Sequence, residues 1–599
     1  MIRVTDYITN FLVQEWVKDT FLVTGAWMMF LSDGLYFNEK IQHYCMHHEQ
    51  AVAMAAVGYA KMKNNLGVAY VSTGCGGTNA ITWLLHAYQD STPVLFLSWQ
   101  VKLSNTTRVA WLKLRGFWVQ ETDIIPIVES LSKYSVMIIN PVDIAYHLEK
   151  AVYLARSWRP GPVWLDIPMD VQSAFIDENK LTHFHPEEVD ADIKIVAKKS
   201  EIDVVRNLLQ KAERPVIICW QWVRLSHSIE EFQEFINLYW IPVVSPYLWI
   251  WILPTDHEYF IWRIWAKWDR PWNFTIQNAD LVIVLWSSLC PSAIGYDWNI
   301  FARWAKVVVV DIDAVEHQKK MTNIDMFIHS DLHFFLDSLN QEPINYSTPT
   351  SWINITQNWK KNYPVVPPEY SNGDGRVNLY HFVDILWKKI KDSVVISDAG
   401  SAFYVPTQWM PILGTNRYIT SGWQAEMWFT IPGAIGACIA HGKSPVIGIT
   451  GDWSFQFNIQ ELQTIVHHNL PVKIVVWNNN GYLSIRASQD KFFEKRYIGT
   501  DKDSGISFPD TEKIANAYGI GYTRISSTHE VSMGIEKMLA FDGPIICEVM
   551  CIENQEIIPA TSTYKKSDWT LQSRPLEDMY PFLNRDEFHN NMVIPTIDE

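Results

Sequence analysis

Between Gly451 and Gly481 the chain runs GDWSFQFNIQELQTIVHHNLPVKIVVWNNNG. An apolar run, PVIGIT, leads into a Gly-Asp turn; a helical stretch follows, and a second apolar run, PVKIVVW, ends in three asparagines. Strands apolar along their whole length are buried on both faces, which puts this unit in a parallel sheet covered by helices. Open sheets of that kind bind ligands beyond the carboxyl ends of their strands. The turn carries Asp452 to that edge, and the second strand carries Asn478, Asn479 and Asn480 to a neighbouring one. A carboxylate, an amide oxygen and a backbone carbonyl are hard donors that suit Mg²⁺ sharing its octahedron with phosphate oxygens. Asp452, Asn479 and the Gly481 carbonyl fit those three roles. The structural alternative is a helix cap at Asp452 and a turn at the asparagines.

The same pattern recurs along the chain. RPGPVWLDIP (Arg159 to Pro168) and FDGPIICEVM (Phe541 to Met550) each close a segment of alternating strands and helices with a Gly-Pro, an apolar strand and an acidic residue. Two copies of one doubly wound unit would produce that echo. Between them, RPVIICW, IPVVSPY, ADLVIVLW and KVVVVDID mark a third set of buried parallel strands. The expected fold is α/β, with three doubly wound parallel-sheet domains at 1–180, 190–345 and 365–555 and a C-terminal tail, 556–599, that wraps the body. The polar stretches HFHPEEVDADIKIVAKKS and NQEPINYSTPTS are the linkers.

At 599 residues the chain is too long for one core. A net charge of −16 without any Lys/Arg run argues against nucleic acid as a partner. The seven cysteines are odd in number and form no CxxC pair, as expected of free thiols in a reducing compartment. The N-terminal MIRVTDYITNFLVQEWVKD lacks a signal-peptide pattern, and no apolar run is long enough to span a bilayer, so the expectation is a cytoplasmic protein with no membrane partner.

Far upstream, His47-His48-Glu49-Gln50 opens a helix rich in small residues, AVAMAAVGYAKM. After the next strand, GVAYVS, comes the turn Thr73-Gly74-Cys75-Gly76-Gly77-Thr78-Asn79, and strand PVLFLSW ends at Gln100. Read alone, Glu49 is a first-turn charge favoured by the helix dipole, and the glycines are a nucleotide loop or a bare tight turn.

Together these motifs resemble thiamine-diphosphate (ThDP) enzymes, whose signature is Gly-Asp-Gly followed, after a strand-helix-strand interval, by Asn-Asn. The similarity covers nearly the whole chain and is greatest to the acetolactate synthase branch, in particular to synthase-like proteins of nucleotide-sugar and polysaccharide pathways, on DYITNFLV, FLVTG, HHEQA, NAITWLLHAYQDS, NNNGYLSIR and SRPLEDM. The resemblance implies ThDP and Mg²⁺ as cofactors. It makes Glu49 the carboxyl that engages the aminopyrimidine ring and Gln100 a residue facing the substrate. It assigns Gly25, Gly74, Asn79, Gly400, Ser401, Gly422, Gly451, Trp453, Ser454 and Tyr482 to cofactor binding, with Met427 propping the cofactor into its bent form; plain core packing is the other reading of Met427. It implies Asp452, Asn479 and Gly481 as metal ligands. It also implies a pyrimidine-binding first domain, a central domain and a diphosphate-binding third domain that meet across subunits, in a homodimer or homotetramer.

The implied reaction is decarboxylation of a 2-oxo acid such as pyruvate and transfer of the two-carbon unit to an acceptor carbonyl. Relatives in valine synthesis carry a tryptophan soon after the second asparagine; here that stretch is Arg486-Ala487-Ser488, so the acceptor is expected to differ. Related enzymes hold FAD on the middle domain, and FIWRIWAKWDRPWNF resembles the segment that lines it, which leaves FAD open. The alternatives are an FAD-linked pyruvate oxidase and a catalytically silent ThDP-binding homologue.

One departure stands out. Tryptophan, at 29 residues, outnumbers glycine, at 27. Trp27, Trp99, Trp220, Trp222, Trp262, Trp265, Trp268, Trp286, Trp423, Trp428 and Trp453 sit where a turn or a close approach would ordinarily use glycine. Trp453 occupies the third place of the Gly-Asp-Gly signature, where an indole is expected to impair cofactor binding.

Overall fold

The structure, a computed structural model, describes all residues except 111, 190–194, 221, 247–252, 265–268, 320–321, 374, 412–414, 566–569 and 598–599. Trp265 and Trp268 lie outside the described residues.

Three six-stranded sheets form from the apolar runs. The first contains Asp19–Leu22, Gln42–Cys45, Gly67–Val71, Val94–Gln100, Tyr134–Met137 and Val163–Pro168. The third contains Val394–Ser397, Arg417–Thr420, Val446–Gly451, Val472–Asn478, Gly521–Ile525 and Ile545–Met550. In both, the strands lie side by side in the order second, first, third, fourth, sixth, fifth. The echo between Arg159 to Pro168 and Phe541 to Met550 is therefore topological: each supplies the sixth strand of the same arrangement. The central sheet has the order third, second, first, fourth, fifth, sixth, that of dinucleotide-binding folds.

By compactness the chain divides into two units. The first holds Met1–Ile193, Ser393–Phe403 and Tyr418–Glu553, and thus the first and third sheets. One apolar cluster runs through both sheets, and its centre is the crossing of helices Glu49–Lys63 and Thr430–Ala440. Backbones touch there. A Cβ on Gly58 would lie 2.5 Å from the Gly433 oxygen, and one on Gly436 would lie 1.9 Å from the Ala55 oxygen. A buried quartet of Lys61, His86, Asp90 and Glu426 joins the same elements: Lys61 and His86 pair with Asp90, and His86 Nδ1 lies 3.1 Å from Glu426.

The second unit holds Lys194–Asp392, Tyr404–Arg417 and Asn554–Glu599. It includes the central sheet, helices Thr350–Asn362 and Leu379–Lys389, and the tail. The tail packs on helix Arg270–Gln277: Asn273 donates to the Leu576 oxygen, Gln277 to Glu577, and Asn278 Oδ1 accepts from Val593 and Ile594.

Among the described residues five tryptophans adopt left-handed backbone: Trp16, Trp158, Trp240, Trp286 and Trp428, with φ between 49° and 70°. For a bulky side chain this conformation costs about 1–2 kcal/mol.

Candidate active site

Asp452 follows strand Val446–Gly451, and Asn479 follows its parallel neighbour Val472–Asn478. Register pairs Gly451 with Trp477, and the Asp452 amide donates to the Trp477 oxygen at 3.1 Å. The two side chains thus arrive at one edge of the sheet. Around them opens a pocket lined by Ala399, Gly400, Ser401, Met427, Gly451, Asp452, Trp453, Ser454, Asn479 and residues 481–484. Helices Ser401–Gln408 and Leu483–Phe493 begin at its wall. The positive ends of their dipoles favour an anion such as a diphosphate.

The donor set fits a hard cation. Asp452 Oδ1 accepts from the Trp453 amide and Oδ2 from the Gly481 amide, and burial pushes its carboxyl up to about 7. The Asn479 Oδ1 is buried with no hydrogen-bond partner, a cost of about 1–3 kcal/mol unless something fills it. Gly481 adopts φ +137°, and a Cβ there would meet the Thr500 oxygen at 1.9 Å. Among the described residues no group of three His, Cys, Asp or Glu is placed to bind a metal; the donors gathered here are oxygens, which suit a hard cation.

Residues that the motifs did not single out for this role complete the frame. Arg486, almost fully buried, donates to the backbone oxygens of Asn479 at 2.8 Å, Asn480 at 3.0 Å and Glu553 at 2.6 Å, which fixes the asparagine loop. Asp398 accepts from Thr450 Oγ1, from Ser454 Oγ and from the Ala399 amide; burial raises its carboxyl to about 6. Ser454 in turn accepts from the Trp428 amide. The signal for Asp398 was available, since it stands between a strand and Gly400 as Asp452 stands after a strand and Gly451. Trp453 stacks on Tyr482 with ring centroids 5.3 Å apart, and its indole nitrogen is buried without a partner.

The upstream motif assembles in a second place. Glu49 is the first residue of its helix, His48 caps that helix by accepting from the Gln50 amide, and Asn79 donates to Glu49 Oε2 at 3.1 Å. A Cβ on Gly76 would stand 2.6 Å from Glu49 Oε1 and 1.9 Å from Ser72 Oγ, so only glycine leaves the carboxylate its place. Gly74 has φ +58° against the Gln120 oxygen, and Gly25 packs on the Trp99 ring. Gly422 lies outside the Asp452 pocket, where its amide donates to Asp90. Glu49, Gly25, Gly74, Asn79 and Gln100 do not line that pocket either.

Gln100 differs from expectation. Its side chain is fully buried; Nε2 donates to the Thr122 oxygen and to Asp166, and Oε1 accepts from the Val101 amide. An amide with both ends committed is a strut under the strand end.

The central domain carries a topological switch point of the dinucleotide-binding kind. The carboxyl edge of its sheet reverses order between Pro215–Cys219 and Leu281–Leu285, where a dinucleotide would bind. Trp220 and Trp286, which follow those two strands, are buried there, and the Trp286 indole reaches across the edge to the Ser330 oxygen.

Comparison with known proteins agrees with this geometry. Residues 2–127 match the thiamine pyrophosphate enzyme N-terminal TPP binding domain, 202–339 the central domain, and 398–549 the C-terminal TPP binding domain. The chain is 30% identical over 559 residues to the acetolactate synthase large subunit of Lactococcus lactis subsp. lactis (strain IL1403), covering 92% of this chain and 93% of that protein. It is 28% identical over 556 residues to the acetolactate synthase isozyme 2 large subunit of Escherichia coli (strain K12), covering 92% and 96%. With acetolactate synthase 2, chloroplastic, of Nicotiana tabacum it shares 26% over 574 residues, covering 93% and 83%. No helix among the described residues is long and apolar enough to cross a membrane. The chain belongs to the thiamine-diphosphate-dependent enzymes of the acetolactate synthase type, lyases and transferases that decarboxylate and ligate carbon.

Proposed function

We propose that the protein decarboxylates a 2-oxo acid, pyruvate first among them, in a Mg²⁺-dependent reaction and transfers the two-carbon unit to an acceptor carbonyl. The observation that carries this reading is the unpartnered Asn479 oxygen beside Asp452, at a pocket into which two helices point their amino ends. ThDP, when bound, supplies a stabilised carbanion for cleaving and forming bonds at a carbonyl carbon.

The chain's own residues do the rest. Asp452, Asn479 and the Gly481 carbonyl would hold Mg²⁺, and Gly400, Ser401, Gly451, Ser454 and the start of Leu483–Phe493, which line the same pocket, would hold the diphosphate. Arg486 keeps the asparagine loop in register. Met427 and Tyr482 line the pocket, the first with an apolar side chain and the second with a ring. Glu49 holds and returns a proton at the aminopyrimidine ring, with Asn79 and the space above Gly76 fixing its carboxylate. Gly25, Gly74 and Gly422 shape the pyrimidine side; Gln100 acts as a positioning residue. Glu49 and Asp452 of one chain line different places, which supports an assembly of at least two chains with sites at the subunit interface, a dimer or tetramer. Domain limits of 1–180, 190–345 and 365–555, and a cytoplasmic location, belong to the same reading.

Incubation of protein, ThDP and Mg²⁺ with pyruvate and a panel of aldehydes, ketones and 2-oxo acids tests it. The expected result is CO₂ release and a product heavier than its acceptor by a two-carbon acyl unit. A protein that binds ThDP yet releases no CO₂ from any 2-oxo acid is instead the silent homologue, and the reaction assigned here falls.

A further inference from the structure

We propose that Trp16, Trp158, Trp240, Trp286, Trp428 and Trp453 are glycine sites, and that the functional protein carries glycine at all six. The inference does not rest on the proposed reaction.

Five of these residues lie in left-handed backbone, whereas none of the chain's 25 tyrosines or 27 phenylalanines does among the described residues. Nothing in the bulk of an aromatic ring favours that region, so ring size cannot select tryptophan alone. The helix ends show which residue the geometry asks for. Helix Thr511–Tyr518 closes on Gly519 with φ 68° and ψ 29°, and Ile520 follows. Helix Ile229–Tyr239 closes on Trp240 with φ 59° and ψ 33°, and Ile241 follows. The two ends are one device, Tyr-Gly-Ile in one copy and Tyr-Trp-Ile in the other. At the end of helix Val4–Gln14 the Trp16 amide donates to the Val13 oxygen and the Val17 amide to the Leu12 oxygen, the bond pattern whose central residue is usually glycine.

The indole nitrogens of Trp428 and Trp453 are buried with no acceptor, and both residues stand at the anion pocket or directly beside it. Trp286 plugs the reversal point of the central sheet, where backbone and ligand approach closely in dinucleotide-binding folds. The chain also holds tryptophans of the ordinary kind. Trp164 stacks on Phe96 and donates to Ser98 Oγ, and Trp352 donates to the Pro215 oxygen; neither has positive φ. Two populations of one residue type, one fitted and one misfitted, point to two codons. UGG means tryptophan in every genetic code, whereas UGA is read as tryptophan in some and as glycine in another. Glycine decoded from UGA accounts for all six sites at once.

The test reads the six codons in the gene and the masses of the peptides that span them, in protein isolated from its own cells. UGA at all six, UGG at Trp164 and Trp352, and glycine masses throughout are expected. UGG at any of the six, or a tryptophan mass at any of them, overturns the proposal. As a check that needs no source cells, a chain combining Trp16→Gly, Trp158→Gly, Trp240→Gly, Trp286→Gly, Trp428→Gly and Trp453→Gly should melt above the tryptophan form, while Trp164→Gly should melt below it; a sixfold variant that melts lower contradicts the assignment.

Discussion

Replacing Asn479 by alanine separates a metal ligand from a packing residue. In the ligand-free chain its Oδ1 is buried and unpartnered, a state that costs about 1–3 kcal/mol. Asn479→Ala removes that cost and loses only a small side chain's contacts, so the free variant should unfold within about 1 kcal/mol of the parent or above it. With ThDP and Mg²⁺ at 100 times the parent's dissociation constant, binding adds about 2.7 kcal/mol to the parent. That corresponds to a rise of about 5–11 °C at about 2–4 °C per kcal/mol for a unit of this size. Losing one ligand to the cation weakens binding by about 100-fold or more, by analogy with the 10- to 100-fold loss that follows removal of outer-shell partners. At the same ligand concentration the variant then gains about 0.4 kcal/mol, or about 1 °C. Thermal unfolding with and without ligands reads both numbers. A variant that keeps the full ligand-induced rise refutes the metal assignment, and one that is strongly destabilised when free refutes the claim that the oxygen is a burden without its cation.

Lys61→Met leaves Asp90 buried beside His86, although Lys61 and His86 hold that carboxyl well below its usual range against the pull of burial; the loss should be about 3–5 kcal/mol by urea unfolding, and a loss under about 1 kcal/mol contradicts it. Gly436→Ala drives a Cβ to 1.9 Å from the Ala55 oxygen and must push the crossing helices apart, so a cost of at least about 1–3 kcal/mol is expected, and an unchanged midpoint would show that the crossing has slack. Burial raises the Asp398 carboxyl from 3.8 to about 6, so the folded chain keeps a proton that the unfolded chain gives up. Stability from that proton is whole below about pH 4 and is lost as pH rises through about 6, by about 3 kcal/mol. Asp398→Asn should remove that share of the pH 4 to 8 decline in urea midpoint, and identical pH slopes in parent and variant count against it.

The strands were legible because parallel strands buried on both faces leave short, unbroken apolar runs between polar punctuation, as in PVIGIT and PVKIVVW. The metal edge was legible for the same reason: Asp452 and Asn479 sit one step beyond such runs. What could not be read depends on meetings between distant residues. Lys61, His86, Asp90 and Glu426 are unremarkable until the fold buries them together, and the commitment of Gln100 to Thr122 and Asp166 has no local signature. The helical stretch after Asp452 resolves into short turns at Ser454–Gln456 and Ile459–Glu461 before helix Leu462–His467, since Ser454 and Asn458 spend their side chains on Asp398 and the Trp428 oxygen. The tryptophans were visible as a compositional oddity, but only dihedral angles sort the misfitted from the fitted, and those angles added Trp16, Trp158 and Trp240.

The central claim is that Glu49 relays a proton on a cofactor anchored by Asp452 and Asn479. Its most direct test is the rate at which the C2 proton of bound ThDP exchanges with deuterated water, followed by acid quench and NMR, in the parent and in Glu49→Gln. The account predicts unchanged ThDP affinity and an exchange rate lower by about 10²–10⁴-fold, the usual contribution of a positioned acid or base. Equal exchange rates in the two proteins, at full ThDP occupancy, would contradict it.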